Sequence, residues 1–228
     1  MRHTNAIHKL ALVALLITST LVVIVATAWG VRFFTSLHNN QAAAQSVDNT
    51  AIAGFPMPGN LAPDFTLTDQ FGRSVTLSSL RGHEVVLAFI DARCTSLCPL
   101  TAQVMYNAKA MLGSSDAGKV DLVAVNANPE ATSIAEVQAW SINHGMLHQW
   151  EFLTGPAKQL NAIYHQYDIA VEVQANGSVA HDPATFIIDA QGHERLYFET
   201  LDSTAKADLN DEEVGMKDGM LQWLPRQA

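Results

Sequence analysis

Cysteine is scarce in this chain, since its 228 residues include only Cys94 and Cys98. Two sulfurs are too few for a zinc-finger scaffold, whose structural metal takes four protein ligands. Because the two cysteines are four residues apart at the start of a predicted helix, both sulfurs can lie on one side of it. The pair can therefore form one disulfide or hold one soft metal ion, and a structural staple or two plain buried residues are the alternatives.

Positive charge is scarce as well, with 13 Lys and Arg against 22 Asp and Glu. All 22 acidic residues lie after position 47, together with only ten of the basic ones, so this part carries a formal charge of −12. A surface of this sign disfavours nucleic acid as a partner. The chain also lacks internal repeats, and about 165 residues after the N-terminal region are the size of one domain.

The chain begins with an apolar stretch of membrane-spanning length. Residues 10–29 have no charged side chain and only three Thr and one Ser. Since Arg2 and Lys9 precede this stretch, the positive-inside rule predicts a cytoplasmic N-terminus at 1–9, a transmembrane anchor at 10–30 and an extracytoplasmic remainder. A cleaved signal peptide is the alternative, because Ala26 and Ala28 form a small-x-small site. In either case the thiols meet oxidising conditions, where they rest as a disulfide unless a reductant or a metal engages them.

The remainder is predicted to contain a linker, one domain and a tail. Residues 31–60 are small and polar without a sustained period, which indicates a linker. The domain follows at 61–201, and 202–228 is a tail predicted to be helical. Strands are predicted at 65–68, 73–77, 84–90, 119–126, 150–153, 169–174, 178–180, 185–189 and 194–198, and helices at 99–112, 132–144 and 156–167. Such alternation indicates an α/β three-layer sandwich with an N-terminal β-hairpin extension.

The cysteine pair lies where a continuous apolar strand, 84–90, runs into the helix predicted to begin near Pro99. Unpaired amides and the positive end of the helix dipole then face the sulfurs, which lowers the thiol pKa and favours thiolate. Thiolate is both a nucleophile and a copper ligand. Arg93 could add positive charge and Asp91 could accept a thiol proton, although ordinary loop roles are the alternative for both.

These residues resemble a known family. Residues 62–67 (APDFTL), 78–82 (SSLRG) and the thiols after the next strand are similar to a membrane-tethered thioredoxin-fold domain. Within that superfamily, the C-x-x-x-C-P motif, residues 128–130 (NPE), residues 152–155 (FLTG) and His181 just before a strand resemble the Sco/SenC proteins. The resemblance covers nearly the whole domain.

The resemblance implies a copper site made of Cys94, Cys98 and His181. The family delivers copper to the binuclear copper site of cytochrome c oxidase or reduces the cysteines there. The implied partners are the copper-bearing oxidase subunit and a thiol reductant protein. Two soft sulfurs and one nitrogen suit Cu(I), and a nitrogen and sulfur set also binds Cu(II).

A metal-free thiol-disulfide oxidoreductase is the alternative function. In it Cys94 attacks a substrate disulfide and Cys98 resolves the mixed disulfide. The segment around Pro183 supports this reading, because it also resembles the cis-proline loop that faces the thiols in thioredoxin-like reductases. A further departure from the Sco/SenC pattern is Thr95, where the family usually has proline.

Other residues have two interpretations each. His181 could be a loop histidine that only caps or hydrogen-bonds, and Asp182 could orient its imidazole or simply occupy a turn. His144 and His148 are better explained by the end of a helix than by metal binding. Met216 and Met220 could form an accessory Cu(I) site or the apolar face of a closing helix.

Overall fold

The computed structural model describes residues 53–200 and 206–225. Their strands are β1 Phe55–Pro56, β2 Thr66–Thr68, β3 Ser74–Thr76, β4 Glu84–Ile90, β5 Val120–Asn126, β6 Glu151–Leu153, β7 Val171–Val173, β8 Val179–His181, β9 Ala184–Ile188 and β10 Glu194–Glu199. The helices are α1 Leu97–Ala110, α2 Ser114–Ala117, α3 Ile134–Asn143, α4 Ala157–Gln166 and α5 Lys206–Trp223, with a 3₁₀ turn at Leu77–Leu80. The segment predicted as an anchor, 10–30, lies outside these residues. Within them, no helix combines the length and apolarity that crossing a bilayer requires.

A six-stranded sheet in the order β1-β10-β9-β4-β5-β6 forms the centre of the domain. Strands β4, β5 and β6 are parallel, and β4 aligns with β5 from Glu84 opposite Val120 to Ile90 opposite Asn126. On the other side of β4, β9 runs antiparallel, as does β10 beside β9. The sheet is therefore mixed, with β4 in its interior and the end of β4 leading directly into the cysteine loop.

Side chains of β4 alternate between two apolar cores, which explains why the whole strand is buried. On one face, Val86, Ala88 and Ile90 pack with residues of α1, α3 and α5. On the other face, Val85, Leu87 and Phe89 pack with α4 and the β2–β3 hairpin. Helices on both faces of the sheet make the three-layer α/β sandwich that the alternating sequence pattern predicts.

Helix α5 closes the first of these cores. Met216 and Met220 are 3 % and 0 % exposed and belong to the apolar cluster beneath the helix. A Cβ atom at Gly219 would lie 2.9 Å from side-chain atoms of both Ile187 and Leu196, so the helix backbone rests directly on β9 and β10. The two methionines are thus core residues rather than an accessible copper-binding pair.

Two hairpins form two-stranded sheets of their own beside the main sheet. The predicted N-terminal hairpin is β2–β3, in which Thr66 pairs with Thr76. The second hairpin, β7–β8, forms a separate two-stranded sheet in which Val171 pairs with His181. This second hairpin carries the histidine implied as a ligand.

Strand β1 lies inside the segment predicted as a linker. Phe55 pairs with Tyr197 and Pro56 with Leu196, so these residues form the edge of the main sheet. A strand of two residues is too short to produce a periodic pattern, and Pro56 is compatible with an edge position. The folded region accordingly begins before residue 61.

Candidate metal centre

The loop between β4 and α1 places the two cysteines at the end of the central strand. Asp91 is buried, and its Oδ1 accepts hydrogen bonds from the backbone N–H of Arg93 at 2.7 Å and from Asn128 Nδ2 at 2.7 Å. Its backbone carbonyl accepts from the N–H of Cys94 at 3.0 Å. Asp91 therefore organises the turn that presents Cys94.

Arg93 forms an ion pair beside the cysteines instead of facing them. Its guanidinium donates to Glu136 Oε1 from Nη2 at 2.6 Å and to the carbonyl of Glu130 at 2.9 Å. Glu136 belongs to the first turn of α3, where it also completes a capping box with Ser133. The arginine ties the cysteine loop to that helix.

Trp140, which no sequence motif marks, contacts the cysteine loop. Its indole N–H donates to the carbonyl oxygen of Cys94 at 2.9 Å. The indole ring stacks on His144, at a centroid distance of 3.9 Å, and on Trp150, at 5.5 Å. A tryptophan in an amphipathic helix pattern is an ordinary core residue, so the sequence carries no signal for this bond.

The two thiols occupy different environments. Cys98 is 3 % exposed at the start of α1, whereas Cys94 is half-buried, and both are free cysteines. The Cys98 N–H points at Cys94 Sγ at 3.4 Å, and Ser96 Oγ lies 3.7 Å from the same sulfur. The predicted amides at the helix start do face Cys94.

These contacts separate the acidities of the two thiols. A hydrogen bond from the Cys98 thiol, supported by the N–H groups of Cys98 and Ser96, outweighs burial and lowers the pKa of Cys94 to about 5. The same bond, together with burial, raises the pKa of Cys98 above its ordinary value. At neutral pH the pair therefore consists of a thiolate at Cys94 and a thiol at Cys98.

His181 reaches the sulfurs from the β7–β8 hairpin. Its Nε2 lies 3.6 Å from Cys98 Sγ, although 83 residues separate them in the chain. Its Nδ1 lies 2.8 Å from the carbonyl oxygen of Asp182, and since a carbonyl can only accept, Nδ1 carries the hydrogen. In the neutral ring the lone pair is then on Nε2, the nitrogen that lies next to Cys98 Sγ, as a metal-binding imidazole requires.

Asp182 orients this imidazole through its backbone and not through its carboxylate. The carboxylate oxygen Oδ2 instead accepts the N–H of Ala170 at 2.8 Å, while the Asp182 N–H donates to the Ala170 carbonyl at 3.1 Å. Both bonds fix the end of the hairpin that carries His181. The following bond to Pro183 is trans, because no peptide bond among the described residues is cis.

The three side chains share a cleft of about 180 Å³. Its walls include Phe89, Leu97, Thr101 and Pro183. Two sulfurs and one imidazole nitrogen form a soft donor set, so the residues fit a copper ion. Within the described part of the chain, however, no three His, Cys, Asp or Glu side chains are placed so that they could hold a metal ion together. Simultaneous ligation by Cys94, Cys98 and His181 therefore requires the three donors to move closer to one another.

Two other histidines have structural roles. His144 ends α3, where its Nδ1 lies 2.8 Å from the Trp140 carbonyl and its ring stacks on the indole. His148 stacks on Phe71 at 5.5 Å. The predicted helix-end role of His144 agrees with this placement.

The SCO1/SenC family profile matches residues 56–210, which include Cys94, Cys98 and His181. The chain belongs to the SCO1/SenC family. A SCO1 protein homolog of Bacillus subtilis is 22 % identical over 149 residues, which span 64 % of this chain and 77 % of that protein.

Solved SCO1/SenC structures share the fold. Copper-bound ScoI of Bradyrhizobium japonicum aligns with a TM-score of 0.60 and 20 % identity, over 72 % of this chain and 100 % of that one. BsSco, described as a Sco-family cytochrome c oxidase assembly protein with a disulfide switch, aligns with a TM-score of 0.57 and 18 % identity, over 74 % and 97 % of the two chains. These likenesses establish an α/β thioredoxin-like fold.

Proposed function

We propose that this SCO1/SenC protein binds copper through Cys94, Cys98 and His181. The observation that carries the proposal is the position of His181, whose Nε2 lies 3.6 Å from Cys98 Sγ in a cleft that Cys94 also lines. A histidine that served only the hairpin would not need to contact a cysteine 83 residues earlier in the chain. The thiolate at Cys94 supplies a second donor without loss of a proton at neutral pH.

In this proposal copper is cargo destined for cytochrome c oxidase. Support comes from the copper-bound ScoI structure and from BsSco, whose family is described as one of oxidase assembly proteins. Three protein ligands leave positions on the ion open to an acceptor, whereas a closed four-ligand site would resist exchange. The acceptor is the copper-bearing oxidase subunit, and the chain either loads its binuclear site with copper or keeps the cysteines of that site reduced.

The proposed location follows from the sequence of the N-terminus. Residues 10–30 anchor the chain in the membrane, and the domain lies on the extracytoplasmic side. A thiol reductant protein then keeps the cysteine pair open in an oxidising compartment. Protease protection in spheroplasts tests the orientation: the domain should be digested from outside, and protection would contradict it.

Copper loading of the full-length chain tests the ligand set. The reduced protein, purified in detergent, should take up one copper per chain and show a thiolate-to-Cu(II) charge-transfer band after Cu(II) loading. His181→Ala should weaken Cu(I) binding by at least tenfold in competition with a chromophoric chelator, because one of three ligands is lost. His165→Ala, which removes an exposed histidine of α4, is the matched control. Equal affinity of the His181 variant and the wild type would disprove the three-ligand site.

A second candidate function is supported by the unequal acidities of the two thiols. The Cys94 thiolate would attack a substrate disulfide, form a mixed disulfide and release one substrate thiolate. Cys98 would then give up its proton, attack Cys94 and release the second substrate thiol, which leaves the chain with a disulfide. This reaction needs no imidazole, so His181→Ala should preserve it. Reduction of a model peptide disulfide by the dithiol protein, measured with and without His181, separates the two functions.

A further inference from the structure

Both the backbone N–H and the backbone carbonyl of Cys94 form hydrogen bonds. Its N–H donates to the Asp91 carbonyl at 3.0 Å, and its carbonyl accepts the indole N–H of Trp140 at 2.9 Å. The next two residues, Thr95 and Ser96, are exposed. The peptide planes on either side of Cys94 are thus fixed in orientation, and they set the direction in which its Cβ carries the sulfur.

The indole that holds Cys94 is itself fixed. Trp140 is 4 % exposed, and its ring lies edge-on to Phe152 at 5.7 Å in addition to stacking on Trp150 and His144. Such a packed ring has little rotational freedom, so the direction of its single N–H is determined by the core.

Helix α3 contacts the cysteine loop at a second point. Glu136, one helical turn before Trp140, pairs with Arg93, the neighbour of Cys94. Two consecutive loop residues are therefore bound by two residues of one helix at (i, i+4) spacing, which places both on the same helix face. The position of the cysteine loop therefore depends on how α3 packs, as well as on β4 and α1, which the loop connects.

We propose that Trp140 is a positioning residue for Cys94, and that its indole N–H orients the Cys94 sulfur toward Cys98 and a copper ion. This inference rests on the proposed function, because the property that Trp140 sets is the geometry of the copper-binding thiolate. Removal of the N–H leaves the Cys94 carbonyl without this donor and allows the peptide plane to rotate. One hydrogen bond of this kind corresponds to a change of about 3- to 10-fold in an equilibrium constant.

Trp140→Phe tests the proposal, and Trp223→Phe is its matched control. Both variants shorten an indole that packs on the same apolar core, but the Trp223 N–H has no hydrogen-bond partner among the described residues, and its ring packs under the Arg195 guanidinium. Each full-length variant is measured for Cu(I) affinity against a chromophoric chelator, for the wavelength and intensity of the thiolate-to-Cu(II) band, and for the midpoint potential of the Cys94–Cys98 pair. A ring that serves only as packing would affect both variants alike.

Trp140→Phe should bind Cu(I) about 3- to 10-fold more weakly and show an altered charge-transfer band, whereas Trp223→Phe should stay within about twofold of the wild type with an unchanged band. Equal behaviour of the two variants would overturn the proposal. If Trp140→Phe does not fold, benzothienylalanine at position 140, which keeps the ring but lacks the N–H, takes its place with the same expected result. A wild-type chain that binds no copper contradicts the proposed function alone, and the midpoint potentials then still distinguish the two variants.

Discussion

Glu84 gives a stability prediction that is independent of the proposed copper site. It begins β4, is fully buried, and neither of its carboxylate oxygens has a hydrogen-bond partner among the described residues. Burial, with a smaller contribution from the nearby charge of Asp189, raises its pKa from 4.5 to about 9. The native protein therefore keeps Glu84 protonated at neutral pH.

The sign of the resulting pH dependence follows from the two pKa values. Between pH 4.5 and about 9 the unfolded chain has released a proton that the native state still holds. The contribution of Glu84 is thus fully present below pH 4.5 and is lost as pH rises toward 9, at about 1.4 kcal/mol per pH unit. From pH 5 to pH 8 this amounts to a decrease of about 4 kcal/mol in the free energy of unfolding, a large share of the stability of a domain.

Glu84→Gln removes this titration while it keeps the size of the side chain. The free energy of unfolding is measured by denaturant titration at pH 5, 6.5 and 8. In the wild type it should decrease with pH, and in the variant the slope of this decrease should be smaller by about 1.4 kcal/mol per pH unit. Glu172→Gln, at an exposed position of β7, should leave the wild-type slope intact. Identical slopes for wild type and Glu84→Gln would refute the buried neutral carboxyl, whatever the absolute stability of the variant.

Three further predictions concern other parts of the domain. In the metal-free reduced protein, the rate constant for alkylation of Cys94 by iodoacetamide should be the same at all pH values from 6.5 to 8. It should fall as the pH is lowered further, with a midpoint near pH 5, as the lowered pKa of Cys94 requires. A midpoint above pH 8 would contradict this pKa. Gly219→Ala should destabilise by about 1–3 kcal/mol in thermal unfolding, because its Cβ would overlap β9 and β10, whereas Gly118→Ala meets only ordinary contacts. Asp182→Ala should weaken Cu(I) binding severalfold through loss of the bond to Ala170, and Asp182→Asn should restore it.

Local patterns were sufficient for most of the fold. The apolar run at 84–90 and the strand patterns at 169–174 and 178–180 act over a few residues, and the structure has the corresponding elements. Strand β9 was predicted, but its antiparallel place beside β4 follows from long-range pairing that no local pattern encodes. The burial of Glu84 at the start of β4 likewise has no local signal in the sequence, because a glutamate at the end of a strand is ordinarily exposed to solvent.

The candidate site likewise has one part that local spacing predicts and another part that depends on long-range contacts. The proximity of Cys94 and Cys98 follows from their four-residue spacing at the predicted start of a helix, which can be read from the sequence. The position of His181 could be expected only from the family resemblance, because a hairpin 83 residues later brings it to Cys98. The contact of Trp140 with Cys94 depends on how α3 packs across the sheet, and neither spacing nor residue type indicates it.

The two kinds of donor in the cleft are supported by different pieces of architecture. The sulfurs sit at the end of the central sheet, while the imidazole is carried by a two-stranded sheet whose tip, the residues around Asn176 and Gly177, is exposed. Changes in the length or stiffness of that tip would alter how far the imidazole extends without breaking a ladder bond of the six-stranded sheet. Under the proposed function, the hairpin therefore sets the affinity for copper separately from the reactivity of the two thiols.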